Sequence, residues 1–92
     1  METRNENKRP YEVLPPGAIL KSELRARGLR QTEFAESIGV DKTALSLILS
    51  GKRSISTEFA IKLEEALGTP ASNWLNLQNQ YDLWKINPKT EI

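Results

Sequence analysis

The sequence predicts an all-α domain of five short helices, and three features lead to that class. Apolar residues recur at spacings of three and four through most of the chain, as in helices with one buried side. Gly28, Gly39, Gly51 and Gly68 interrupt the pattern where helices would stop. Asp41, Ser56 and Pro70 stand where new ones would start. A chain of 92 residues suffices for one domain and little more.

Residues 1–12 are polar and lack apolar periodicity, so they are expected to form a flexible N-terminal arm. The domain proper is expected over residues 13–86, with Val13 and Leu14 tucked against it. Pro15, Pro16 and Gly17 mark the entry to a first helix from Ala18 to Arg27, with Ile19, Leu20 and Leu24 inward. A short second helix runs from Gln31 to Ile38, with Phe34, Ala35 and Ile38 inside and Gly39 in the turn. Asp41 suits the N-cap of a third helix reaching about Ser50, and Leu45, Ile48 and Leu49 point inward from it. Ser56 caps a fourth, whose expected buried stripe is Phe59, Ala60, Leu63, Ala66 and Leu67. The fifth runs from Ala71 to about Trp84. Residues 87–92 form a tail broken by Pro88.

Composition narrows the function. Cysteine and histidine are both absent, so neither a disulfide framework nor a thiolate metal site is available, and no cofactor is expected. No carboxylate pair or glycine-rich phosphate loop is evident, which argues against an enzyme. Neither a signal peptide nor a membrane span is visible, and a cytoplasmic location is expected. Net charge is only +1, but its distribution is uneven. Residues 21–53 hold seven basic and four acidic side chains, whereas residues 54–92 hold three basic and five acidic. Such a chain can present a basic face to phosphates and another to protein.

The basic third contains the run QTEFAESIGVDKTALSLILSGKRSI, which meets the demands of a helix-turn-helix. Ala35 is small where two helices approach, Gly39 sits in the turn, and Val40, Leu45 and Ile48 can hold the second helix to the core. Gln31, at the start of the first of these helices, can reach a phosphate. Lys42, Thr43, Ala44, Ser46 and Leu47 occupy the outward, N-terminal part of the second, which would enter a major groove. Lys42 suits guanine, Thr43 or Ser46 either base edge, and Ala44 or Leu47 a thymine methyl. Lys52 and Arg53 are better placed for phosphates. The expected partner is double-stranded DNA.

The last helix carries Trp74, Leu77, Tyr81 and Trp84 on one stripe, with Leu75 and Leu83 on another side. Burial in the protein's own core accounts for Trp74 and Leu77. The total still exceeds what one small core needs, so Trp74, Leu75, Leu77, Gln78, Tyr81, Leu83 and Trp84 are assigned to a homodimer interface. Two recognition helices about 34 Å apart would then read a palindromic site.

PPGAILKSEL, QTEFAESIGVDKTALSLILSGKRSIS and LGTPASNWLNLQNQYDLW together resemble the HigA antitoxins, a branch of the Xre or lambda-repressor-like helix-turn-helix family, over about residues 15–85. The resemblance implies a five-helix repressor fold, a dimer, neutralisation of a HigB-type toxin similar to the RelE messenger-RNA ribonucleases, and repression of the shared operon. By position it implies DNA contacts at Gln31, Lys42, Thr43, Ser46 and Lys52, and dimer contacts from Trp74 to Trp84. Arg30 departs from the pattern, which often has serine or threonine there, and Pro15, Pro16 and Gly17 replace a more usual His-Pro-Gly. The arm and the first helix, expected to lie away from the recognition helix, are candidates for toxin contact. The alternative is a stand-alone phage- or plasmid-type repressor without a toxin.

Overall fold

Pro16 starts the first helix two residues earlier than expected. It occupies the first turn, where a missing N–H leaves no helical bond unmade. In the computed structural model, which describes residues 13–86, the five helices are α1 (Pro16–Ala26), α2 (Gln31–Ile38), α3 (Lys42–Leu49), α4 (Thr57–Leu67) and α5 (Ala71–Ile86). The expected arm and tail lie outside the described residues. Helix α5 continues two residues beyond Trp84, and Arg27 caps α1 rather than belonging to it.

The turn between α2 and α3 depends on Gly39, whose φ of 72° places it in the left-handed region. Val40 N–H then donates to the Ala35 carbonyl at 3.0 Å, closing the helix end before α3 departs. Ala35 is almost wholly buried, as its small size requires at this crossing. Ser56 starts α4 by accepting from Phe59 N–H at 3.1 Å, and Glu64 Oε1 accepts from Ala71 N–H at 2.9 Å at the start of α5. Arg27 bonds the far end of α4: its Nη2 donates to the Leu67 carbonyl at 3.0 Å, while its Nε pairs with Glu23 at 2.6 Å.

One core joins all five helices. Leu20, Leu45, Ala60 and Leu63 are fully enclosed, with Ile55 buried in the segment between α3 and α4. Two apolar expectations need correcting. Ala66 is exposed because it falls about 20° outside the arc set by Phe59, Leu63, Leu67 and Ala60, at an edge of α4 that borders an open depression beside Ser37 and Ile38 of α2. Leu14 is also exposed, whereas Val13 is half-buried.

Helix α1 packs directly on α3. A Cβ built on Gly17 would overlap the Ile48 carbonyl oxygen and press on Leu49 Cα. The glycine after Pro15 and Pro16 is therefore a packing requirement. The expectation that α1 lies away from the recognition helix is wrong, because its first turn is part of the seat that holds α3.

Candidate nucleic-acid interface

Helix α3 begins at a cap. The Asp41 carboxylate accepts from Thr43 N–H at 3.0 Å, satisfying one of the free amides of the first turn. At about 100° per residue, Lys42, Ser46, Thr43 and Leu47 span an arc of about 140°, with Leu45, Ile48 and Leu49 on the other side. Burial follows that division: the latter three are in the core, while Lys42, Thr43 and Ser46 are exposed. Ala44 lies at the border and is half-buried.

The outward arc of α3 meets the start of α2 in a shallow groove of about 350 Å³, lined by Gln31, Thr32, Lys42, Thr43, Ser46 and Leu47. Five of the eight expected DNA-contact residues thus share one surface. Thr32 was not anticipated; its position next to Gln31 in the first turn of α2 was the available signal. Ala44 and Arg53 instead line a second depression with Ile48, Glu58, Phe59 and Lys62, toward α4. Lys52 is exposed beyond the end of α3.

The loop carrying Lys52 and Arg53 is held from two directions. Both of their backbone N–H groups donate to the Leu47 carbonyl, at 2.9 and 3.2 Å, folding the chain back over the end of α3. The other constraint comes from Gln78, which the pattern along α5 assigns to a dimer interface. Its Oε1 accepts from Ile55 N–H at 2.8 Å, and its Nε2 donates to Asp82 Oδ1 at 2.9 Å and Ser54 Oγ at 3.3 Å. The amide therefore ties the segment after Arg53 to α5.

Gln78 is 8% exposed and Trp74 3%, so both are spent inside the monomer and neither is free to meet a second subunit. This corrects the interface assignment for those two residues. Leu75 and Leu77 are half-buried against the same core. Tyr81 and Trp84 stack on each other at 6.1 Å between ring centres, with Lys85 Nζ 5.3 Å from the Tyr81 ring, and Leu83 is exposed.

At the other end of the groove, Arg30 holds the N-cap position of α2 without a side-chain cap bond, consistent with its departure from serine or threonine. Among the described residues no cluster of acidic side chains is arranged to hold a metal ion, and no helix is long and apolar enough to cross a membrane.

Residues 20–74, from α1 into α5, match the family described as helix-turn-helix. The chain belongs to the helix-turn-helix family. Within it, the chain is similar to virulence-associated protein A of Dichelobacter nodosus, with 45% identity over 75 residues covering 79% of this chain and 74% of that protein. Virulence-associated protein A′ of the same organism is 42% identical over 72 residues, covering 77% of this chain; the chain spans only 63% of its length. Antitoxin HigA-1 of Vibrio cholerae is 37% identical over 82 residues, covering 88% of this chain and 74% of that protein. A solved structure, Pseudomonas aeruginosa antitoxin HigA with the higBA promoter, superposes with a TM-score of 0.78 at 30% identity, over 86% of this chain and 90% of the other. The fold is that of HigA-like antitoxins and helix-turn-helix repressors.

Proposed function

We propose that this protein is a HigA-type antitoxin that binds operator DNA as a homodimer, represses its own operon and neutralises a HigB-type, RelE-like messenger-RNA-cleaving toxin in the cytoplasm. The observation that carries the DNA half is the groove between α2 and α3. There Lys42, Thr43 and Ser46 stand exposed on a capped helix beside Gln31 and Thr32, in the geometry that presents side chains to a major groove. Lys42 is assigned to a guanine edge, Thr43 and Ser46 to base edges and Leu47 to a thymine methyl. Gln31, Lys52 and Arg53 are assigned to phosphates, and Ala44 to the border of the contact. The antitoxin half draws on the likeness to HigA proteins, one of them solved with promoter DNA.

For the dimer, the remaining candidates are Leu75, Leu77, Tyr81, Leu83 and Trp84, joined by Ile86. Leu83 is 58% exposed and Ile86 80%, unusual for apolar side chains so close together on one helix. L83S together with I86S should leave the fold intact and shift the protein from dimer to monomer in sedimentation equilibrium. A wild-type monomer at micromolar concentration would remove the dimer from the proposal.

Co-expression with the neighbouring toxin gene tests the antitoxin half. Growth arrest by that gene should be relieved, and the two products should co-purify; a neighbour that neither arrests growth nor binds defeats it. Lys42→Ala and Thr43→Ala should each weaken specific DNA binding by about 1–2 kcal/mol, roughly tenfold, and relax sequence preference. Lys52→Ala and Arg53→Ala should weaken binding to all duplexes alike. Equal behaviour of the two pairs in a gel-shift titration would refute the division of roles. A stand-alone repressor is the second reading. The same groove supports it, and it predicts unchanged operator binding with no protein partner.

A further inference from the structure

The groove between α2 and α3 shares Gln31 and Thr32 with a second depression of about 380 Å³, so the two adjoin at the start of α2. The second lies between α1 and the start of α2. Lys21, Arg25 and Arg30 line it, with Leu24 and Leu29 completing its surface. Lys21 and Arg25 are one helical turn apart on α1 and so share a face.

Two features separate this strip from ordinary surface charge. Across both depressions the lining holds four cations, Lys21, Arg25, Arg30 and Lys42, and no carboxylate. The depressions toward α4 mix signs: Arg53 and Lys62 accompany Glu58 in one, and Lys62 accompanies Glu65 in the other. The cations of the strip are also uncommitted. Among the described residues Lys21, Arg25 and Arg30 enter no ion pair, whereas Arg27, just beyond the end of the same helix, is bound to both Glu23 and the Leu67 carbonyl. A strip of unpaired cations leading away from a groove suited to base edges has the character of a track for a polyanionic backbone.

We infer that Lys21, Arg25 and Arg30 form a second DNA-binding strip, which grips the phosphate backbone beside the site read by α3. The inference rests on the DNA-binding reading above and extends the contact from the helix-turn-helix onto α1. Because phosphates carry no base identity, the strip adds affinity and fixes the orientation of α3 without adding sequence preference.

The test uses the full chain, a duplex spanning the region upstream of its gene and a random-sequence duplex of equal length, titrated by fluorescence anisotropy from low to high KCl. The triple variant K21Q/R25Q/R30Q should bind both duplexes at least tenfold more weakly near physiological salt and keep the ratio between them. The slope of log affinity against log salt should become shallower by about 2–3, close to one for each phosphate that is no longer neutralised. Arg25→Gln alone should lower the slope by about 1. Circular dichroism checks that the variants keep their helices. A wild type that binds DNA with a slope untouched by the triple substitution overturns the strip alone, including the case in which only binding to an acidic protein partner disappears. A wild type that binds neither duplex overturns the DNA-binding reading and the strip with it. A selective loss on the upstream duplex would mean that the strip reads sequence, also contrary to the inference.

Discussion

Helices α3 and α5 distribute their side chains in opposite ways. On α3 the division is orderly, with Leu45, Ile48 and Leu49 inside and Lys42, Thr43 and Ser46 outside. On α5 a polar amide, Gln78, is buried while Leu83 and Ile86 face out. An orderly amphipathic helix needs only one packing partner, and its outer face is left to a ligand that arrives from solution. A helix with its polarity partly inverted is under two demands. Its inward amide organises a neighbouring loop, and its outward apolar residues call for a further surface. The buried amide is tolerated because its oxygen and nitrogen are both bonded, to Ile55, Asp82 and Ser54. The loop of Lys52 and Arg53, proposed as a phosphate anchor, is thus built at the end of α3 but secured by α5.

The largest expected effect falls on the seat of α3. Gly17→Ala would force its new methyl into the Ile48 carbonyl, a backbone atom that cannot turn aside, and should destabilise the protein by about 3 kcal/mol in denaturant unfolding. A loss below about 0.5 kcal/mol would show that α1 and α3 can separate freely, and would remove the rigidity credited to α3.

Gln78→Ala probes α5 in turn. It strands Ile55 N–H in a buried position and should cost about 2 kcal/mol. If α5 secures the anchor loop, DNA affinity should also fall under conditions where the variant stays folded, with little change in sequence preference. Stability loss without any change in DNA affinity would confine Gln78 to the core and weaken the link between the two helices.

Asp41→Ala is expected to have the smallest of these effects, about 1 kcal/mol, because the cap is exposed and water can replace the carboxylate at Thr43 N–H. Asp41→Asn should retain most of the stability and sharpens the point: if it weakens DNA binding no more than the cap loss explains, Asp41 is a cap and not a reader of bases.

Much of this architecture was legible in the residues. The five helices were readable because Gly39 and Gly68 stop helices through their backbone freedom, and Asp41 and Ser56 start them through side-chain bonds only a few residues long. The outward residues of α3 were readable for a related reason, since helical periodicity alone separates Lys42, Thr43 and Ser46 from Leu45 and Ile48. Ala66 shows the limit of that periodicity. It has the right composition for a buried stripe, but its exposure depends on which neighbours reach the edge of α4.

The set of helices and the outward arc of α3 follow from local residue types, because caps, turns and periodicity act over one or two helical turns. That Gly17 meets Ile48, that Gln78 reaches Ile55 rather than another subunit, and that Lys21 and Arg25 come beside Gln31 is set by the packing of the helices. Each of these joins residues from different parts of the chain. Their pairing depends on how the helices cross, and no local pattern of residue types carries that information.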